Sequence, residues 1–217
     1  MIQNNKSVVI VDYELGNLFS VKHACLHAGM KAIISSDKNL IEKADAIILP
    51  GVGSFGDAMN HLEELDLISP IKEFISSGRP FLGICLGMQL LFEESEEFGI
   101  RKGLGIIKGN IKKFPNIFEN KKMRVPQIAW NQIEKPANTS WKESALAEIN
   151  DKEYMYFVHS FYALPSEQEN ILTLTRYNNF EYCSAIKKNN VFAMQFHPEK
   201  SAREGLKIYN NWLLQIK

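Results

Sequence analysis

The stretch Phe81-Leu-Gly-Ile-Cys-Leu-Gly-Met-Gln89 decides how this chain is read. Pro80 to Ile84 is a short apolar run that reads as a buried strand, Leu86 to Glu94 continues as a helical run, and Cys85 stands at the corner between them. Gly83 and Gly87 lie two residues to either side, the cysteine counterpart of the G-x-S-x-G elbow. A nucleophile at such a corner is held in strained backbone, and only small neighbours leave room for the strand and helix that meet there. The helix that follows directs its N-terminus at the sulfur and favours thiolate over thiol. The N–H of Leu86 is left free to stabilise an oxyanion. A free cysteine is often just a buried core residue, but a core cysteine has no need of glycine on both sides.

Working upstream, Val8 to Asp12, Lys31 to Ser35 and Ala44 to Leu49 are further short apolar runs. An amphipathic stretch from Gly16-Asn17 to about Gly29, and helical patterns at Phe55 to Leu65 and Pro70 to Ser77, alternate with them. Strands that are apolar throughout, separated by helices, indicate a mostly parallel central sheet covered on both faces. Downstream the character changes. Ile106 to Phe114, Arg124 to Asn131, Tyr154 to Tyr162, Ile171 to Tyr177, Tyr182 to Lys187 and Val191 to Phe196 all read as strands, joined by loops rich in Asn, Pro, Ser and Lys. Runs at this spacing suggest antiparallel strands added to the sheet. A helix from about Ser201 to Ile216 closes the chain. The expectation is an α/β fold in one domain over residues 1–217, a size that suits one well-buried core better than two.

Composition narrows the function classes. With 25 Lys plus Arg against 25 Asp plus Glu the formal net charge is zero, which argues against a broad nucleic-acid-binding face. No apolar run approaches the roughly 18 residues needed to cross a bilayer, and Val8 to Val11 is too short for a signal-peptide core. Cys25, Cys85 and Cys183 are sparse and far apart, which suits a reducing compartment. The expectation is a cytoplasmic protein without nucleic-acid or membrane partners, metal or cofactor.

A thiol nucleophile needs a base, and the base a group to orient it. Among the five histidines, His23 and His27 are four apart on the first helix but lack a third metal ligand, and His61 lies in a polar helical stretch. His159, in Tyr156-Phe-Val-His-Ser160, is the runner-up. His197 is the strongest candidate, because it ends the apolar run Val191 to Phe196 and is followed by Pro198-Glu199. Strand ends are where α/β proteins place reactive groups, and the proline restricts the backbone so that Glu199 can orient the imidazole. Pro50-Gly-Val-Gly-Ser-Phe-Gly56 contains G-x-G-x-x-G. It follows the third strand, not the first, and the acidic residue expected about 20 positions on would be Glu73, inside a helix. The loop reads better as a source of backbone N–H groups opposite Cys85. Gly99 to Gly109 reads as a turn, and Glu93 to Glu97 as a solvated helix end.

Together these residues resemble the class I (triad) glutamine amidotransferases, whose two signatures look like Gly83-Ile-Cys-Leu-Gly-Met-Gln89 and Phe196-His-Pro-Glu199. Within that class the chain is similar to the glutaminase subunits of imidazole glycerol phosphate synthase. The similarity runs from Asp12-Tyr13 and Gly16-Asn17 through Pro50 to Phe55, Phe157-Val-His-Ser-Phe-Tyr162 and Gln195 to Ser201. The resemblance implies Cys85 as nucleophile, His197 as acid/base and Glu199 as orienter. It implies an oxyanion hole from the backbone of Val52, Gly53 and Leu86, and a glutamine site at Gly51, Gln89, Ser160 and Phe161. It also implies a heterodimer in which Trp130, Tyr156 and Lys200 face a (β/α)8-barrel cyclase that receives ammonia through its barrel, in histidine biosynthesis. One segment departs from the pattern: the family usually has Pro-His-Met-Gly-Trp-Asn where Pro126-Gln-Ile-Ala-Trp-Asn131 stands, so Gln127, Ile128 and Ala129 differ beside the expected interface. That departure leaves open a second acceptor, a surface-polysaccharide sugar amidated by a similar partner. From other classes, a stand-alone cysteine hydrolase and a non-catalytic binding subunit remain as alternatives.

Overall fold

The computed structural model describes residues 6–137 and 139–216. In chain order the strands are β1 Ser7–Val11, β2 Lys31–Ser35, β3 Ala46–Leu49, β4 Phe81–Ile84, β5 Phe92–Ser95, β6 Arg101–Lys102, β7 Ile107–Lys113, β8 Ile117–Phe118, β9 Lys121–Lys122, β10 Gln127–Ile133, β11 Glu153–His159, β12 Phe161–Pro165, β13 Ile171–Tyr177, β14 Phe180–Lys188 and β15 Val191–Met194. The helices are α1 Leu18–His27, α2 Lys38–Lys43, α3 Phe55–Glu64, α4 Ile68–Ser76, α5 Leu86–Gln89 and α6 Ala202–Leu213.

Among the described residues one eleven-stranded sheet runs in the order β2-β1-β3-β4-β15-β14-β12-β7-β5-β6, with β13 paired to β14. The pairings from β2 to β15 are all parallel; β15 to β14, β14 to β12 and β12 to β7 are antiparallel. Successive residues of the parallel strands point to opposite faces. Val8, Ile10, Ile48, Leu82 and Ile84 accordingly enter one core layer, and Val9, Val11, Ile47, Leu49 and Phe81 the other. Both layers are covered, which is why these strands are apolar throughout.

The expected α/β architecture stands, with four local corrections. The helical run expected from Leu86 to Glu94 ends at Gln89 and turns into β5. Leu90, Leu91 and Phe92 are all buried, so their apolarity carries no helical period. Consequently Glu93 to Glu97 is strand and strand exit, not a solvated helix end. The run Tyr154 to Tyr162 is two strands broken at Ser160: β12 joins the main sheet while β11 pairs only with β10, as a separate ribbon. Helix α2 is an element the sequence reading passed over; Asp37 caps it through Asn39 N at 2.8 Å, and Ile41 alone is buried.

Candidate active site

Strands β4 and β15 are parallel neighbours, with Ile84 opposite Met194. They deliver Cys85 and His197 to the same edge of the sheet. Cys85 has φ 55° and ψ −111°, a strained conformation for a residue with a Cβ. Its N–H donates to Met194 O at 2.8 Å, tying the corner to the neighbouring strand. The two glycines are needed for clearance. A Cβ on Gly83 would lie 2.9 Å from the Ala193 Cβ, and one on Gly87 would run into the Leu49 carbonyl. Helix α5 has only four residues, so its dipole is smaller than the expected nine-residue helix would supply. The Leu86 N–H donates to no backbone carbonyl among the described residues.

His197 leaves its strand more gently. Its N–H donates to Tyr156 O at 2.9 Å, and the Ser201 hydroxyl donates to its carbonyl at 2.7 Å while accepting from Tyr156 N at 3.0 Å. Pro198 opens a 3-10 turn, Pro198–Lys200, that brings Glu199 back beside the ring. His197 Nδ1 lies 2.8 Å from Glu199 Oε1, with both side chains buried. Because the carboxylate accepts, Nδ1 carries a proton and Nε2 is the working nitrogen. Nε2 is buried and meets no hydrogen-bond partner among the described residues, and His197 lines the same cavity as Cys85. Burial disfavours the imidazolium, but the neighbouring Cys85 sulfur, with Glu199 behind the ring, more than offsets it and raises the His197 pKa to about 10.

That cavity, about 310 Å³, is lined by Val52, Gly53, Cys85, Leu86, Gln89, Glu97, Pro126, Val158, His159, Ser160, Phe161 and His197. It therefore gathers most of the residues expected at the site. Gly53, at φ 101°, lets the loop turn with open space above it. Gly51 does not line the cavity: it lies beneath, against Tyr13 and Leu86, where a Cβ would clash. The Tyr13 hydroxyl donates to Pro50 O at 2.7 Å and pins the start of the loop.

Gln89 shows what the cavity is built to hold. Its Nε2 donates to Phe161 O at 3.1 Å and to Gln195 Oε1 at 2.8 Å. Both N–H groups are thus spent, and no donor among the described residues engages Oε1, which leaves an acceptor for a ligand N–H. Glu97 adds a carboxylate to the same cavity's lining. Its Oε2 accepts from Phe55 N at 2.6 Å, and burial raises its pKa despite that bond, with Asp57 adding to the rise. An amide acceptor and a carboxylate lining one small cavity suit a ligand ammonium group. Sequence reasoning missed Glu97, because a run of acidic residues carries no mark of which one turns inward.

His159, the runner-up base, serves another purpose. It is buried, with Nδ1 2.7 Å from Phe161 O and Nε2 3.2 Å from the Tyr182 hydroxyl. Burial lowers its pKa to about 4, the Phe161 bond working against this and His197 adding to it, so the ring is neutral at ordinary pH. Gln127, one of the departures from the family pattern, is buried beside it, its side-chain amide 3.0 Å from the Tyr182 hydroxyl. His23 and His27 are exposed on α1, and His61 Nδ1 lies 3.2 Å from Glu14. Outside the cavity mouth Trp130 stands edge-on to Tyr156 at 6.2 Å, and Lys200 Nζ lies 5.8 Å from the Tyr156 ring centre. Ile128 and Trp130 are 61% and 50% exposed, an unusual outlay of apolar surface for one strand edge.

A strained cysteine and a histidine steadied by a glutamate, on one cavity, are the arrangement of a triad-type hydrolase. The family model "Glutamine amidotransferase class-I" matches residues 9–216, and the chain belongs to that family. Its relatives are more particular. The chain is 45% identical over 206 residues to the imidazole glycerol phosphate synthase subunit HisH of Sulfurimonas denitrificans, covering 94% of this chain and 96% of that one. It is likewise 45% identical over 212 residues to HisH of Pyrococcus furiosus, covering 94% and 97%. Among solved structures, PurLQS from Thermotoga maritima shares the fold with a TM-score of 0.73 at 18% identity, covering 98% of this chain and 99% of that one.

Proposed function

We propose that this chain is the glutaminase subunit of an imidazole glycerol phosphate synthase and that Cys85, His197 and Glu199 carry the hydrolysis of L-glutamine. His197 Nε2 holds the proton that comes from the Cys85 thiol, in line with its raised pKa, and the sulfur attacks the side-chain amide carbon as thiolate. The C–S bond forms, and the carbonyl electrons move onto oxygen, beside Leu86 N–H and the Val52–Gly53 backbone. His197 returns the proton to the leaving nitrogen, releasing ammonia and a thioester. Water, deprotonated by His197, then cleaves the thioester to glutamate and free thiol. The substrate ammonium group sits on Gln89 Oε1 and Glu97, and its carboxylate on the backbone at Ser160 and Phe161. Residues 1–217 act as one glutamine amidotransferase domain.

The observation that carries this reading is that His197, its Nδ1 fixed on Glu199 and its Nε2 without a partner among the described residues, lines one cavity with Cys85. The acceptor of the ammonia is a (β/α)8-barrel cyclase in histidine biosynthesis, docked on the face that carries Ile128, Trp130, Tyr156 and Lys200. Identity of 45% to HisH relatives over nearly the whole chain favours this acceptor over a polysaccharide sugar. Among the described residues no helix is long and apolar enough to cross a membrane, in keeping with the cytoplasmic setting of that pathway. Cys85→Ala abolishes glutamate release while the complex still uses free ammonia; the two half-reactions are assayed separately. Undiminished glutamate release in that variant overturns the assignment.

A further inference from the structure

Gln195 is the one polar residue in the run Val191 to Phe196, and it is fully buried. Met194 and Phe196 enter one core layer, and Gln195 between them, just beyond the end of β15, is not part of it. A buried amide is kept only where its hydrogen bonds are met. Here they are met within the site. Gln195 Nε2 donates to Cys85 Sγ at 3.6 Å, and its Oε1 accepts from Gln89 Nε2 at 2.8 Å. Its backbone N–H is anchored separately, on Ser184 O at 2.8 Å.

We propose that Gln195 is a positioning residue that holds the Cys85 sulfur and the Gln89 amide in fixed relation, so that nucleophile and substrate reader are set by one side chain. The inference rests on the glutaminase reading above and deepens it. The two contacts do different work. The donor to sulfur stabilises negative charge there and fixes the sulfur's direction. The acceptor occupies one of the two Gln89 N–H groups, so that amide cannot turn over and its Oε1 stays presented to the cavity. Without Gln195, Gln89 keeps only its bond to Phe161 O and can offer an N–H to an ammonium group, which repels it.

Two variants separate these contacts, tested in the full chain assembled with its synthase partner. Gln195→Met keeps the volume and removes both bonds. We expect kcat to fall about tenfold or more and KM for glutamine to rise several-fold as Gln89 is released. Gln195→Glu keeps an acceptor for Gln89, so KM stays near wild type. A protonated carboxyl also retains a donor for the sulfur, whereas its carboxylate repels a thiolate. Relative to wild type, Gln195→Glu therefore loses kcat, and loses iodoacetamide alkylation of Cys85, as pH rises from about 6 to about 8. The titratable groups of the neighbouring cavity, Cys85, Glu97, His159 and His197, are present in both proteins, so a pH dependence of the ratio reports what the added carboxyl does to them. A side chain that only fills space would give both variants the same KM and leave Gln195→Met at wild-type kcat; either result overturns the inference. The Cys85→Ala control keeps the two readings apart: glutaminase activity surviving there sinks the catalytic assignment, whereas its loss beside normal Gln195 variants sinks only this one.

Discussion

Strands β4 and β15 lie side by side and end at the same edge, yet they present their reactive residues in opposite ways. β4 ends in a residue at φ 55°, with glycines cleared away on both sides, so that Cys85 is held by sterics. β15 ends at Met194, and three residues on, His197 stands in ordinary extended backbone at φ −99°, its position fixed by hydrogen bonds to Tyr156 O and the Glu199 carboxylate and from the Ser201 hydroxyl. The difference follows from what each group must do. The sulfur has to stand out from the corner and reach a carbon, which demands an unusual backbone. The imidazole has to pass a proton both ways, which demands a fixed tautomer and a charge behind it.

If the contrast is right, the two ends fail differently. Gly87→Ala is the most damaging change, since its Cβ meets the Leu49 backbone and the corner must shift as a whole. A loss of about 2–4 kcal/mol of stability is expected, with glutaminase activity gone, readable by thermal unfolding and glutamate release. Glu199→Gln spares the fold, because an amide oxygen can still accept from Nδ1. It removes the charge, however, and kcat should fall by about two orders of magnitude with little change in KM. Ser201→Ala is the mildest. It strands the Tyr156 N–H and frees the His197 carbonyl, costing about 1–2 kcal/mol and a few-fold in kcat. Steady-state kinetics on the three variants would rank them; a Glu199→Gln enzyme at wild-type rate would break the contrast.

The same two strand ends show why some of the molecule can be read from sequence and some cannot. The parallel half is legible because both faces of its strands are buried. Val8 to Val11, Ala46 to Leu49 and Phe81 to Ile84 are bare apolar runs, and the glycine pair around Cys85 has a single steric reason. Where burial is partial the pattern fades. α2 buries only Ile41 and so shows no periodicity. The break at Ser160 is invisible because both flanking strands are aromatic and apolar, although they join different sheets. The site divides the same way. Cys85, His197 and Glu199 announce themselves by chemistry and neighbours. Glu97 is one of four glutamates between Glu93 and Glu97, and only the fold turns it onto Phe55 N. Gln195 did leave a signal, a lone amide inside an apolar run, which asks for a buried partner; the sequence alone does not say which one.

The central claim is that Cys85 and His197 share a proton across the cavity, and titrating the His197 imidazole by NMR tests it directly. The pKa is raised from 6.5 to about 10, with Cys85 the leading favourable cause. The stability this proton contributes is therefore full below about pH 6.5 and lost as pH rises through about 10. In Cys85→Ala the titration should fall to lower pH, with burial then opposed by Glu199 alone. A His197 that titrates at the same pH with and without the sulfur would contradict the pairing on which the chemistry depends.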